Sequence, residues 1–332
     1  MAFLLDYGLF LAKTVTLLAA LLFAAAALIN LGARGRQRRE RLEVRKLNRR
    51  YRDMEHSLRR QMTDARGLKR LERQYKRQHK QATGGDADKS RVFVLNFHGD
   101  IRASRVESLR EEISAILSVA GAQDQVLLRL ESPGGVVHGY GLAASQLVRL
   151  RERGIPLTVS VDKVAASGGY LMAAVADRVL AAPFAVVGSI GVVAQLPNFH
   201  RLLKKHDVDF EMLTAGEYKR TLTVFGENTE QGREKFREDL EAIHRQFKDF
   251  ITRYRPQLDL ARVATGEHWL GEQAKALGLV DELGTSDDYL LRHAADHQLI
   301  ELRFHPKRSL SKRMGQAAEN TLERWLSKPQ IP

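Results

Sequence analysis

Apolar and polar positions alternate in blocks along residues 91–305, and the blocks predict strands separated by helices. Short β-branched or aromatic runs predict strands, and longer segments with apolar steps of three and four predict amphipathic helices. Strands alternating with helices at this spacing predict an α/β core with a largely parallel sheet. The predicted strands are 91–97, 125–130, 157–161, 178–181 and 208–213. The predicted helices are 106–120, 136–152, 170–176 and 230–255, the last burying Phe236, Leu240, Ile243, Phe247 and Ile251.

A different pattern occupies the amino-terminal end, where residues 14–33 form a run of 20 uncharged, mostly apolar residues. That length is sufficient for a helix to cross the hydrocarbon core of a bilayer. A cleaved signal peptide is the alternative, with residues 24–26 (AAA) as a small-residue cleavage site. The length of the run and the lack of a basic cluster before it favour an uncleaved anchor. We therefore predict a transmembrane anchor over residues 1–33.

Basic residues are concentrated in the segment that follows the predicted anchor. Residues 31–80 carry 19 Lys/Arg and 6 Asp/Glu, which accounts for the whole net charge of +13. An apolar stripe with helical spacing runs through the same segment and predicts a basic amphipathic helical segment over residues 34–82. We expect this segment to contact anionic lipid or another subunit, and we regard nucleic acid as an unlikely partner beside an anchor. The stripe comprises Leu47, Tyr51, Met54, Leu58, Met62, Leu68, Leu71 and Tyr75.

The remaining composition completes the domain organisation. The composition predicts a flexible linker over residues 83–90, the globular domain over residues 91–305 and a basic carboxyl-terminal tail over residues 306–332. Arginines directly after the anchor place its carboxyl-terminal side in the cytoplasm by the positive-inside rule, although a long translocated domain weakens that rule. The chain contains no cysteine, which excludes disulfides, thiolate catalysis and cysteine-ligated metal sites.

The candidate chemistry centres on Ser167, which stands with two glycines between a predicted strand and a predicted helix. A serine at such a corner has an exposed hydroxyl and a free backbone N–H beside it, as a nucleophile requires. The alternative is that Ser167 only caps the helix. A second turn, Ser132-Pro133-Gly134-Gly135, follows another strand, so its glycines can bring backbone N–H groups to an oxyanion at the same sheet edge.

A nucleophilic serine needs a base, and the sequence offers histidines and lysines. None of the eleven histidines stands in a telling motif; His138, His200 and His206 are the ones nearest to candidate segments. Lys219 follows the predicted strand 208–213 and a flexible Ala215-Gly216 pair, which can return its side chain to the same edge. Burial and the neighbouring Arg220 would disfavour its charged form, although a solvated lysine is the usual alternative.

Five segments in order give the chain a family resemblance: ESPGG (131–135), AASGGY (165–170), VGSIGVV (187–193), AGEYKRT (215–221) and TGEHWLGEQAKALGLVDELG (265–284). With these motifs and the anchor, the chain resembles the signal peptide peptidase A family of membrane serine proteases, most closely its SohB-type branch. The resemblance implies Ser167 as nucleophile, Lys219 as general base, and the N–H groups of Gly134 or Gly135 and Gly168 as the oxyanion hole. It implies no cofactor.

The same resemblance sets expectations for fold, assembly and location. It implies the Clp protease/crotonase fold of stacked strand-strand-helix units and a homo-oligomer in which neighbouring subunits can complete the dyad. It also implies a single-pass protein of the bacterial inner membrane, with the side of the protease domain left open, and peptide or protein substrates drawn from the membrane or from unfolded chains. A crotonase-type CoA-thioester enzyme and a catalytically silent membrane scaffold are the alternatives.

Overall fold

The computed structural model describes residues 7–18, 20–21, 41–84 and 89–306. Its strands are β1 (Arg41–Lys46), β2 (Arg91–His98), β3 (Gln125–Glu131), β4 (Leu157–Val161), β5 (Val164–Ala166), β6 (Arg178–Ala181), β7 (Val186–Gly188), β8 (His268–Leu270), β9 (Glu282–Leu283) and β10 (Gln298–His305). Its helices are α1 (Leu47–Met62), α2 (Ala65–Gly84), α3 (Val106–Val119), α4 (Val137–Glu152), α5 (Gly168–Ala174), α6 (His200–Lys205), α7 (Glu230–Tyr254), α8 (Leu260–Val263), α9 (Gly271–Ala276) and α10 (Ser286–His293).

The main sheet has seven strands in the order β1-β10-β2-β3-β4-β6-β9. From β10 to β9 the neighbouring strands are parallel, with Val94 opposite Leu127 and Leu128 opposite Val159. The predicted α/β class is therefore confirmed. Because the strands are parallel, their carboxyl ends meet at one edge of the sheet, and the Ser132–Gly135 turn leaves the sheet there at the end of β3.

A second, smaller sheet contains β5, β7 and β8, with β5 parallel to β7. Strand β4 of the large sheet is followed by β5 of the small sheet and then by α5, which is the predicted strand-strand-helix order. A bridge between Ser132 and Ala165 joins the end of β3 to this small sheet. The two candidate segments of the site are thus hydrogen-bonded neighbours, with Ala166 N–H donating to Ser132 C=O at 3.0 Å.

The sheet is buried on both faces. Helices α3, α4 and α5 cover one face with a large apolar cluster that includes Leu109, Ile113, Leu147 and Tyr170. The other face carries a smaller cluster, in which Tyr289 and Leu290 of α10 and Leu47 of α1 pack with strand residues such as Leu127. Burial on both faces explains why the central strands are nearly continuous apolar runs.

The basic segment is not helical throughout, which corrects the prediction for residues 34–82. Residues 41–46 form strand β1, which lies beside β10 at the edge of the main sheet. The helical part is broken at Thr63 and Asp64, because Thr63 is extended and the Asp64 carboxylate caps α2 by accepting the Gly67 N–H at 2.9 Å. We call α1 and α2 the basic hairpin.

The predicted strand 208–213 is also wrong, because these residues are irregular in the structure. A strand needs a neighbour for its backbone groups, and this segment pairs with no strand of either described sheet. Val208, Phe210 and Met212 are exposed as a result. In α7 the predicted apolar face is buried only at Ile251; its amino-terminal half is only half-buried, and Phe247 and Phe250 pack against the core.

No helix within the described residues is long and apolar enough to cross a membrane. Residues 7–18 are helical, whereas residues 22–33 of the predicted anchor lie outside the described part of the chain. The same holds for residues 85–88 of the predicted linker and for residues 307–332 of the predicted tail. The anchor, linker and tail therefore remain predictions.

Candidate active site

Ser167 stands between β5 and α5 in a backbone conformation that is rare for a residue with a side chain. Its φ is +51° and its ψ is −119°, outside the regions that L-residues populate readily. The Ser167 N–H is held by the Gly188 carbonyl at 2.8 Å. The side chain makes no capping hydrogen bond to α5 and is only half-buried. The structure therefore does not use Ser167 as a helix cap, and its side chain is partly accessible to solvent.

Glycines after Ser167 permit the tight corner. A Cβ atom on Gly168 would lie 2.3 Å from Cγ of Tyr140, and one on Gly169 would lie 2.6 Å from the Ser132 carbonyl oxygen. Both distances are too short for any real contact, so no larger residue fits while the corner keeps its shape. The corner packs directly against the segment that follows β3.

That segment, Ser132 to Gly135, is called the glycine loop. Gly134 has a φ of +92°, and a Cβ atom on it would lie 2.7 Å from Cβ of Ser167 and 2.9 Å from the Gly168 nitrogen. Gly135 sits against the Ile101 carbonyl, where a Cβ atom would approach to 2.1 Å. The structure therefore brings Gly134, Ser167 and Gly168 together, as the sequence predicted.

The N–H groups of the three candidate glycines differ in direction. Gly134 N–H donates to Ser132 Oγ at 3.1 Å and points into the protein. For Gly135 and Gly168, no acceptor is found among the described residues. Gly135 is also exposed, whereas Gly134 is buried. Two N–H groups without an acceptor among the described residues thus remain, one at Gly168 next to Ser167 and one at Gly135 in the glycine loop.

Beneath the glycine loop lies a buried network that sequence reasoning missed. The hydroxyls of Ser132 and Tyr140 are 2.5 Å apart, and Tyr140 O–H donates to the Asp100 carbonyl at 2.9 Å. Ser132 and Tyr140 are both almost fully buried. Burial raises the pKa of the Tyr140 phenol, so it remains a neutral donor. Tyr140 carries no local signal, because it lies on α4 and reaches the site only through packing.

Lys219 is placed differently from the residues around Ser167. It lies in the irregular segment before α7, its backbone N–H donates to Gly216 C=O at 3.1 Å, and its side chain is exposed. No hydrogen bond between Lys219 and Ser167 is present in the described single chain. The adjacent Arg220 is exposed as well. The single chain therefore assembles the serine and the glycines but not the lysine.

Within the described residues, the candidate histidines His138 and His206 do not contact Ser167 through a hydrogen bond, and no metal site is formed. His138 and His206 are exposed, and neither hydrogen-bonds to Ser167 in the described part of the chain. Among the same residues, no three His, Asp or Glu side chains are grouped to hold a metal ion. The geometry offers a partly accessible serine on a strained backbone, with N–H groups that lack an acceptor at Gly168 and in the adjoining glycine loop at Gly135. This arrangement suits nucleophilic attack on a carbonyl.

Comparison with known proteins agrees with this chemistry. Residues 2–147 match the family model described as peptidase family S49 N-terminal, and residues 149–300 match peptidase family S49. The chain is 60% identical over 247 residues to a protein of Haemophilus influenzae named "Probable protease SohB", covering 73% of this chain and 70% of that protein. A Buchnera aphidicola (subsp. Schizaphis graminum) protein of the same name is 47% identical over 311 residues, covering 92% and 91%.

Proposed function

Because the chain belongs to peptidase family S49 and is thus a serine peptidase, we propose that it is a membrane-anchored endopeptidase with a Ser167–Lys219 dyad. The observation that carries the nucleophile is the backbone of Ser167, held at a φ of +51° beside the unpaired Gly135 and Gly168 N–H groups. Strain of this kind is retained where the surrounding structure enforces it, most often at active sites. Family membership removes the reasons for a CoA-thioester enzyme or a silent scaffold.

The proposed reaction is acyl transfer. Neutral Lys219 takes the proton of the Ser167 hydroxyl as its oxygen attacks the peptide carbonyl, and the N–H groups of Gly135 and Gly168 stabilise the oxyanion. Lys219 then passes the proton to the departing amine, and an acyl-enzyme remains on Ser167. Water, deprotonated by the same lysine, attacks the ester, and the carboxylic acid product leaves with Ser167 restored.

An exposed lysine is a poor base, so the proposal requires a second subunit around Lys219. An amine in water is almost entirely protonated at neutral pH, and burial is what lowers its pKa. The segment that carries Lys219 exposes Val208, Phe210, Met212 and Leu213, which are unfavourable in water as a group. We propose that a neighbouring copy covers this segment and that the dyad is completed across the contact.

Mixing of inactive variants tests the dyad and its location together. Ser167→Ala and Lys219→Ala are each expected to lose peptidase activity while keeping the wild-type melting temperature. If the dyad spans two subunits, co-assembled Ser167→Ala and Lys219→Ala chains regain activity, because some contacts then pair an intact serine with an intact lysine. Activity of either variant alone contradicts the dyad, and no recovery in mixed oligomers contradicts its location between subunits.

We also propose that the basic hairpin contacts anionic lipid beside the anchor. Residues 47–84 carry 12 Lys/Arg and 4 Asp/Glu. Within the described residues, the apolar stripe of α1 is covered only at its start, by packing of Leu47 and Tyr51. It continues as Met54, Leu58 and Met62, which are 51%, 65% and 84% exposed. Near an anionic surface each basic residue contributes about 1 kcal/mol of attraction.

The absence of cysteine makes this contact directly measurable. A fluorescent label on Leu58→Cys in the full chain, reconstituted in phosphatidylcholine vesicles with added phosphatidylglycerol, is expected to be quenched by brominated lipid. Arg60→Cys, two residues on and roughly 200° around the helix, is the matched control and should not be quenched. Equal quenching at both positions, or a Leu58 label that is shielded in lipid-free detergent, contradicts lipid contact; the latter indicates subunit packing.

A further inference from the structure

Tyr140 contacts both halves of the proposed oxyanion hole. Its hydroxyl meets Ser132 Oγ, which accepts the Gly134 N–H. Its ring lies against the backbone of Gly168, so closely that a Cβ atom there would fall 2.3 Å from Tyr140 Cγ. One buried side chain therefore touches the glycine loop on one side and the corner after Ser167 on the other.

The direction of each proton in this network follows from the donors available. A tyrosine hydroxyl has one proton, and the Asp100 carbonyl, which can only accept, lies 2.9 Å from it. The Ser132 hydroxyl must then donate to the Tyr140 oxygen across the 2.5 Å contact, which leaves Ser132 Oγ free to accept from Gly134 N–H. Every polar atom of the network has a partner, so the arrangement has one satisfied state.

The network decides which way the peptide units of the glycine loop face. With Gly134 N–H drawn inward onto Ser132, the next N–H, that of Gly135, is left without an acceptor among the described residues. The space under the network is closed as well, since a Cβ atom on Gly99 would lie 2.3 Å from both hydroxyl oxygens. The Gly99 backbone therefore packs directly against both hydroxyls.

We infer that Tyr140, acting through Ser132, is a positioning residue that sets the separation of the Gly135 and Gly168 N–H groups. This inference rests on the proposed function. Tyr140 does not touch substrate; it holds the two donors at the spacing that an oxyanion requires. Because the donors matter most when charge develops on the carbonyl oxygen, the effect belongs to the transition state and not to substrate binding.

Removal of the Tyr140 hydroxyl is the direct test. Tyr140→Phe and Ser132→Ala are each expected to lower kcat by about 10- to 100-fold with KM nearly unchanged, less than the roughly 10²–10³-fold loss when an oxyanion donor is removed outright. The double variant should cost no more than the larger single change, because both interrupt one chain of hydrogen bonds. The inhibition constant of a peptidyl boronic acid, whose anionic oxygen occupies the hole, should rise in parallel with the fall in kcat.

Tyr170→Phe is the matched control. Tyr170 is equally buried and lies on α5, and its hydroxyl donates to the Leu279 carbonyl at 3.1 Å and not to an atom of the glycine loop. We expect it to lower the melting temperature about as much as Tyr140→Phe while kcat stays at the wild-type value. An equal fall in kcat in both variants overturns the positioning role, because it shows a general effect of a lost buried hydroxyl.

Labelling of Ser167 by a fluorophosphonate distinguishes a failure of the positioning role of Tyr140 from a failure of the proposed function. The phosphoryl oxygen enters the same hole, so the labelling rate of Tyr140→Phe is expected to fall by about the same factor as kcat. An unchanged labelling rate with unchanged kcat overturns the inference and leaves the proposed function intact. Failure of the wild-type chain to be labelled at Ser167 overturns the proposed function, and the inference with it.

Discussion

Replacing Gly134 with alanine places a methyl group in the space between the glycine loop and Ser167. The added Cβ atom would lie 2.7 Å from Cβ of Ser167, 2.8 Å from the Ala166 carbonyl oxygen and 2.9 Å from the Gly168 nitrogen. Two of these three neighbours are backbone atoms, and none is the free end of a flexible side chain. The clash can be relieved only by moving the loop away from the serine.

The size of that movement gives the magnitude. An ordinary carbon contact begins at 3.4 Å, so loop and serine must separate by about 0.7 Å from the present 2.7 Å. A misplacement of about 1 Å in a reacting group can cost 10²-fold in rate. We expect kcat/KM to fall by roughly 30- to 100-fold, which corresponds to about 2–3 kcal/mol of transition-state stabilisation at 1.36 kcal/mol per tenfold.

Backbone strain has to be separated from this displacement, because Gly134 has a φ of +92° and alanine is strained there in any case. Gly266 has a φ of +88° and nothing within 4 Å of an added Cβ atom, so Gly266→Ala carries similar strain without a clash. Both variants are expected to lose about 1–2 kcal/mol of unfolding free energy from strain. Hydrolysis of a fluorogenic peptide and urea denaturation measure the two effects.

The reasoning is refuted if Gly134→Ala keeps the peptidase activity of Gly266→Ala within about threefold, since a 0.7 Å displacement would then have no catalytic consequence. Unfolding of Gly134→Ala before the assay temperature would be seen in the denaturation curve. In that case the labelling rate of Ser167 below the transition gives the same comparison.

Two further predictions concern stability. Ser167→Gly should abolish activity and raise the free energy of unfolding by about 1 kcal/mol in a urea titration. Glycine removes strain of about 1–3 kcal/mol at a φ of +51°, and its larger unfolded-state entropy costs less than 1 kcal/mol. Ser167→Ala keeps the Cβ atom and should therefore show no gain in the same titration. Asp124→Asn should cost about 2 kcal/mol at neutral pH, because the side chain is buried and accepts from the Arg91 guanidinium and from the N–H groups of Gly121 and Arg91. Burial opposes ionisation, yet these donors hold the pKa of Asp124 below its usual value of 3.8. The contribution of Asp124 to the free energy of unfolding is therefore present above pH 3.8 and lost as the pH falls through the lowered pKa of the folded state. The difference in unfolding free energy between wild type and Asp124→Asn should vanish in acid. A difference that persists below that pKa contradicts the role given to the carboxylate.

Much of the architecture is predictable because it depends on local pattern. Strands β4 and β6 and helix α7 lie within a residue of their predicted bounds. Each is a continuous apolar run or a long periodic segment, whose preference is set by its own side chains. The strands that escape prediction, such as β5 and β7 with three residues each, are too short to show a period. They exist because a neighbouring strand pairs with them.

Residues 208–213 show the opposite failure. Their alternation of apolar and polar residues is typical of a strand, but they pair with no strand of the described sheets, so the segment stays irregular and exposed. Alternation of apolar and polar residues indicates that one face of a segment is to be buried, but it does not specify which part of the protein covers that face. The same limit applies to Lys219, whose environment the residues around it in sequence do not determine.

For the site, the sequence alone determined which residues have the right chemistry: a serine followed by glycines after a buried strand, and a second glycine turn after its neighbour. The proximity of Gly134 and Ser167 depends on β5, a strand that the pattern does not predict, because the bridge between Ser132 and Ala165 of β5 holds the two turns side by side. Only the tertiary structure decided that Ser167 is held at a positive φ without capping α5, and that Gly134 N–H points inward. Only it placed Tyr140 between the two glycine segments. These features depend on contacts of a few tenths of an ångström between segments distant in sequence, and no local pattern encodes such distances.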